Sequence, residues 1–259
     1  MTAVTYKRSG YAGIVTLSQP EKRNSMNPEL LDEFGKKITE VKNDKDVRCL
    51  VITGTGSCFS AGANLAGPLQ RGEQTKTAGE RSFEMYKPFL KVLDLEVPVI
   101  GALNGHAVGG GFGLALLCDI RIANKESKYG ANFARLGIHS GMAISYLLPR
   151  LVGFSRASQM LYTGELLLGE QAEKIGLVSE CTDPADVLPR ALEVAEQICA
   201  SAPLAVRSMK QALREGLTWD PVPWAKREAK LQAVSLETDD AREGVSALLE
   251  KRAPSFTGK

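Results

Sequence analysis

The chain has 259 residues, 44% of them hydrophobic, with 32 lysines and arginines against 30 acidic residues. That length buries a sizeable core and suits one large domain or a domain with a helical appendage. A formal charge of +2 offers no footprint for nucleic acid and no patch for a membrane surface.

No run approaches the ~18 consecutive apolar residues that read as a membrane span, and MTAVTYKRSGYAG at the start lacks the apolar stretch of an export signal. The 5 cysteines, Cys49, Cys58, Cys118, Cys181 and Cys199, form an odd set without a CxxC pair. Several lie in apolar runs, where a small buried thiol is the ordinary reading. A reducing cytoplasm or organelle matrix is therefore expected.

In chain order, GIVTLSQP reads as a strand stopped by Pro20. In NPELLDEFGKKITEVKN, Asn27 can cap, Pro28 suits the first helical position, and Leu30, Leu31, Phe34, Ile38 and Val41 form a helical stripe. RCLVITG and VPVIGALNG are short, apolar and ended by glycine, as strands covered on both faces are. Residues 66–88 lack a firm apolar period and read as a loop leading into a helix, placed to cover a site. After the strand-like DIRIAN come helices expected near 142–150, 154–163, 169–175, 184–200, 203–216, 222–237 and 239–251. Alternating strands and helices through the first two thirds imply an α/β core.

Nucleotide loops fail on inspection. GTGSCFSAG has Phe59 where GxGxxG needs its third glycine, and GHAVGGG continues with Phe112 where a P-loop needs lysine. GIHSG is not a nucleophile elbow, because His139 sits at its centre and Ser140 one place late. With only His106 and His139, neither paired with an acid at ligand spacing, no metal site is expected. What remains is a pair of glycine-bearing turns, SAGANL and GHAVGGGFG, each straight after a buried strand. Such turns either permit tight packing or aim two backbone N–H groups at one developing oxyanion.

The order and spacing of these turns, with their flanking residues, resemble the crotonase (enoyl-CoA hydratase/isomerase) superfamily. The likeness runs from QPEKRNSMN through CFSAGANL, VPVIGALNGHAVGGGFGLALLCDIRIA, ESKYGANFARLGIHSGMAISYLLPRLVG and TGELLLGEQAEKIGLVSE to EGVSALLEKRAPSFTGK. It implies an α/β fold with a ββα spiral core over residues 1–200 and a C-terminal helical region, 201–259, that builds homotrimers or dimers of trimers. It implies a coenzyme A thioester as substrate or ligand, with no further cofactor. The N–H groups of Ala63 and Gly110 would form an oxyanion hole. Arg23 and the main chain of Ala61 and Leu65 would meet the coenzyme, and Lys251 or Arg252 would reach its phosphates in a neighbouring subunit.

The chain departs from that pattern at the acids. Hydratases of the family use two glutamates; here the positions hold Gly113 and Phe133, neither of which transfers a proton. An acidic position used by some dienoyl isomerases and dehalogenases is Gly141, with Ser140 where a proline is common. Asn64 replaces a frequent aspartate, and NLAGPLQRG offers only Arg71 where decarboxylases of the family carry lysine. Substitute proton carriers are His139, in the right turn, and Glu73, Glu80 and Glu84 in the covering segment; Asn132 and Arg135 could orient a substrate, and His106 is expected to fix backbone. Two readings follow: an acyl-CoA enzyme with an atypical acid-base apparatus, or a non-catalytic acyl-CoA carrier. Restoring glutamate at 113 and 133 should raise hydration wherever the pocket is otherwise intact.

Overall fold

The computed structural model describes residues 2–63, 77–216, 230, 232–234 and 236–259. Strands β1 (Val4–Ser9) and β2 (Ala12–Leu17) form an antiparallel hairpin. Helix α1 (Pro28–Asn43) follows, and Asn27 caps it by accepting the Leu30 N–H at 3.0 Å, as its sequence suggests. The chain then runs through β3 (Cys49–Gly54), β4 (Cys58–Ser60), α2 (Ala78–Leu90), β5 (Val99–Leu103), β6 (His106–Val108), α3 (Gly110–Leu117), β7 (Ile120–Asn124) and β8 (Lys128–Gly130). The apolar stripe of α1 packs inward, and Phe34 meets Phe89 of α2 edge-on at 4.8 Å between ring centroids.

This order is a spiral. β3, β5 and β7 join one sheet, while the strand after each, β4, β6 and β8, crosses into a second. The first sheet has the order β1-β2-β3-β5-β7 and ends on β10 (Glu180–Thr182). The second closes on β9 (Leu166–Leu168), antiparallel to β8. Successive side chains of β3 point to opposite faces: Leu50 and Ile52 enter the core beneath α1, while Cys49 and Val51 enter a second core. Helix α7 (Val187–Cys199) covers that second core with Val187, Ala191 and Ala195. Thus β3 and β5 are buried on both faces, as their unbroken apolar runs imply. Burial also pushes the free Cys118 thiol up to about 12.

Asparagines stitch the corners where the chain leaves the first sheet. Asn24, fully buried, accepts the Gln19 N–H and donates to the carbonyls of Thr55 and Cys58. Asn104 accepts the Gly54 N–H at 2.9 Å, and Asn124 donates to the Asn104 carbonyl at 2.8 Å. Each corner is therefore bonded to the next by amides that can both donate and accept.

Between β8 and β10 lie α4 (Ile144–Val152), α5 (Phe154–Thr163) and α6 (Gly169–Lys174). Helix α8 (Pro203–Gly216) is tied to the first sheet by charge. Asp119 accepts the Val99 N–H, the Lys210 ammonium at 2.9 Å and the Arg214 guanidinium at 3.2 Å. Burial pushes the Lys210 pKa below its ordinary value against the pull of Asp119. Helix α9 (Asp239–Glu250) carries a docked tail: buried Asp240 accepts the N–H groups of Thr257 and Gly258, and Arg48 donates to the Phe256 carbonyl. Of the helix expected over 222–237, residues 222–229, 231 and 235 lie outside the described residues, and residues 230, 232–234 and 236 are helical. Among the described residues no helix is long and apolar enough to cross a membrane.

Asp119→Ala removes the counter-charge of the nearly buried Lys210, whose ammonium keeps the Val97 carbonyl as acceptor. Because Asp119 itself is 28% exposed, the expected loss lies at the low end for a broken buried pair, about 3 kcal/mol. Lys210→Met leaves Asp119 with Val99 and Arg214, and should lose roughly half as much; urea unfolding of both variants checks the order.

Glu243 accepts Arg252 through both oxygens and the Ser255 N–H, which together hold its carboxyl down at about 2. A depressed carboxylate contributes its stability fully above the unfolded value, near 4.5, and loses it as pH falls toward the folded value. Protection of the Ser255 amide against hydrogen exchange should therefore hold from pH 7 to 5 and weaken progressively toward pH 2, with Glu243→Gln weakening it at neutral pH.

Candidate active site

The two glycine turns meet. The first follows β4, where the Ser60 hydroxyl donates to the Asn24 carbonyl at 2.7 Å and Met26 N–H donates to Gly62 O at 2.8 Å. The second runs from β6 into α3. At Gly62, with φ +78°, an added Cβ would lie 2.7 Å from both Gly110 N and Val108 O. At Gly111 it would lie 2.1 Å from Ser60 O, and at Gly110 2.2 Å from Met26 Sδ. Three glycines are thus required by backbone lying directly on backbone and on one thioether.

Two N–H groups flank this contact. Gly110 opens α3, so its N–H has no acceptor within the helix. Ala63 forms an isolated parallel bridge with Met26. In such a bridge one residue uses both backbone groups and the residue opposite uses neither; Met26 already donates to Gly62, which leaves the Ala63 N–H directed away from it. Helix α3 is apolar and buried along its whole length, so its positive end emerges at Gly110 with little solvent to screen it.

The positions at which the resemblance implies acids are occupied by other groups. A Cβ at Gly113 would lie 2.4 Å from Met142 Cβ and 3.6 Å from Ile144 Cδ1. Met142 and Ala143 both hold positive φ, +56° and +55°, in the left-handed region that is unfavourable for residues with a side chain. Phe133 opens a short 3-10 turn, Phe133–Leu136, and its ring tip lies 3.6 Å from the Cβ position of Gly109. At Gly141 the Cβ would lie 2.3 Å from the Tyr86 hydroxyl oxygen. A pocket merely emptied of its two acids is therefore not what the fold contains at Gly113, where Met142 closes the space.

The other expected residues fall into three groups. Arg23 is exposed, and its carbonyl accepts the Ala61 N–H at 3.0 Å, so these two are together but Ala61 can offer a ligand only its carbonyl. Lys251 is exposed at the end of α9. Arg252 instead spends its donors on Glu243, Glu250 and Ala253 within its own chain. Leu65, Asn64, Arg71 and Glu73 lie outside the described residues.

His139 is exposed, its Nδ1 2.6 Å from Ser140 O, and it lines a cavity of about 400 Å³ with Phe133, Ser145, Phe154 and Tyr162. Neither glycine turn lines that cavity. His106 Nδ1 accepts the Lys128 N–H at 2.9 Å, fixing β8 beside the second turn. Arg135 donates to Thr163 O, Glu80 caps α2 with Thr77, and Glu84 pairs with Lys87. No group of three or more His, Cys, Asp or Glu side chains converges as a metal site among the described residues. Tyr86, Met142 and Met26 are the residues that sequence reasoning misses. Each is an ordinary apolar or aromatic helix or loop residue until the chain folds.

Gly113→Ala should destabilise by roughly 1–3 kcal/mol through overpacking against Met142. Met142→Gly, which suits the positive φ, should remove most of that penalty in the double variant; chemical denaturation of the four-member cycle reads the coupling directly.

The comparisons agree with this architecture. A family model described as enoyl-CoA hydratase/isomerase matches residues 9–259. A crotonyl-CoA hydratase of Syntrophomonas wolfei is 36% identical over 247 residues, covering 95% of this chain and 94% of that one. A short-chain-enoyl-CoA hydratase of Clostridium acetobutylicum is 33% identical over 252 residues, covering 96% and 95%. The crystal structure of an enoyl-CoA hydratase from Bacillus anthracis superposes with a TM-score of 0.93 at 30% identity, covering 99% of this chain and 100% of that one. The chain belongs to the enoyl-CoA hydratase/isomerase family.

Proposed function

We propose that the chain binds a coenzyme A thioester and polarises its carbonyl between the N–H groups of Ala63 and Gly110. The observation that carries this reading is the contact of Gly62 with Gly110 N, which a side chain at residue 62 would forbid. Two N–H donors and a helix positive end would then meet an enolate oxygen where water is scarce, and such donors stabilise charge that grows in the transition state. Met26 and Phe133, set against Gly110 and Gly109, would give the acyl group apolar neighbours. The coenzyme would pass Arg23 and the Ala61 carbonyl.

A second reading is a non-catalytic acyl-CoA carrier. It is favoured by Met142 against Gly113 and by Phe133 against Gly109, which leave neither family position with a proton-transfer group. In both readings residues 201–259 assemble copies of the chain into trimers or dimers of trimers. The exposed Met209 and Leu213 of α8 and Val245, Leu248 and Leu249 of α9 supply apolar surface for that contact, and Lys251 would then face a neighbour's ligand.

Incubation of the purified protein with saturated, 2-enoyl and 3-hydroxyacyl-CoAs, followed by mass spectrometry, separates the readings. Turnover of any thioester is expected for an enzyme, and Gly62→Ala should then lower kcat/KM by about 10²–10³-fold. Binding of every thioester without product would leave the carrier; failure to bind any of them would overturn the proposal.

A further inference from the structure

Phe133 stands where two spaces meet. Its ring tip lies 3.6 Å from the Cβ position of Gly109, the residue before the Gly110 N–H, and it also lines the cavity of about 400 Å³ beside α4 and α5. Ala131 lines that cavity too, and Gly130, directly before it, accepts the Gly109 N–H through its carbonyl at 3.0 Å. The inner end of the cavity therefore abuts the second glycine turn, and the Phe133 ring occupies the junction.

The cavity changes character along its depth. Ala131 and Ala157 are each 2% exposed, and Leu161 joins them in the lining, whereas His139 and Ser145 at its mouth are exposed. An apolar floor under a polar mouth suits a hydrocarbon chain, and the volume falls in the range of small-ligand pockets. None of the lining comes from α1, α2 or the glycine turns themselves. A ring at 133, where the resemblance implies a glutamate, exchanges a proton carrier for bulk at the one place where the two spaces touch.

Resting on the thioester reading above, we infer that Phe133 limits the length of the acyl chain: its ring keeps a chain held at the second glycine turn out of the cavity behind it. The parent protein then takes short acyl thioesters. A smaller residue at 133 admits longer ones, whose methylenes gain the apolar floor of Ala131, Ala157 and Leu161.

Isothermal titration of butyryl-CoA and octanoyl-CoA into the parent protein, Phe133→Ala, and Phe133→Ala combined with Ser158→Trp tests this. Octanoyl-CoA should bind the parent no tighter than butyryl-CoA. Each methylene that leaves water tightens binding by about fourfold, so Phe133→Ala should shift the preference toward octanoyl-CoA by about tenfold or more. Ser158 lines the same cavity, and tryptophan there should cancel the shift. Phe133→Leu, which keeps some bulk at the junction, gives the same comparison with a smaller shift should the alanine variant fail to fold. A parent that already favours octanoyl-CoA, an unchanged preference in the variants, or a shift that survives Ser158→Trp would overturn the assignment of Phe133 while leaving thioester binding intact. A parent that binds neither ligand would overturn both.

Discussion

The site depends on how closely the backbone after β4 approaches the start of α3. Because Gly62 has no Cβ, the Gly110 N–H and Val108 carbonyl can both approach to 2.7 Å from where that atom would stand. Gly110 and Gly111 allow the reciprocal approach to Met26 and Ser60. The two turns are held from behind. Asn24 binds Thr55 and Cys58, its own carbonyl accepts Ser60, and Asn104 and Asn124 continue the bonding across the later corners. Backbone groups so braced lose little on binding, because the ordering is done during folding.

Around that rigid centre lie the apolar side chains of Met142, set against Gly113, and Phe133, at positions where the family resemblance implies carboxylates. Polarising a carbonyl and moving a proton are separable: the first needs fixed dipoles, the second a titrating group within reach. Under the proposed reading the chain retains the arrangement for the first. At Gly113 the second is excluded sterically, since Met142, held with Ala143 at positive φ, takes up the volume. Backbone in that region is costly by about 1–3 kcal/mol per residue and persists where surrounding packing dictates it. Here the buried Met142 side chain and the start of α4 do so.

The C-terminal part is attached by charge and backbone bonds more than by burial. Asp119 holds α8, while Asp240, Glu243 and Arg48 hold the tail that folds over α9. Large apolar residues on α8 and α9 stay exposed in the single chain. That combination leaves Arg252 occupied internally and Lys251 outward, which the proposed assembly of copies would use.

Much of the architecture is legible from residue order. Asn27 and Pro28 start α1, the unbroken apolar runs of β3 and β5 imply cover on both faces, and α5 and α8 lie at the limits their periodicity predicts. The small second sheet is not legible, because strands of three residues such as β4, β6 and β8 are too short to show a period. Nor is β1, whose exposed half alternates weakly. The paired glycine turns, their family likeness and the presence of glycine at 113 and phenylalanine at 133 follow from local letters, since each is a property of one position. That Met142 fills the place beside Gly113, that Arg252 turns to Glu243, and that Tyr86 reaches Gly141 across 55 residues of chain follow only from tertiary structure. Close packing between distant segments decides which side chain takes each space, and no single segment carries that information.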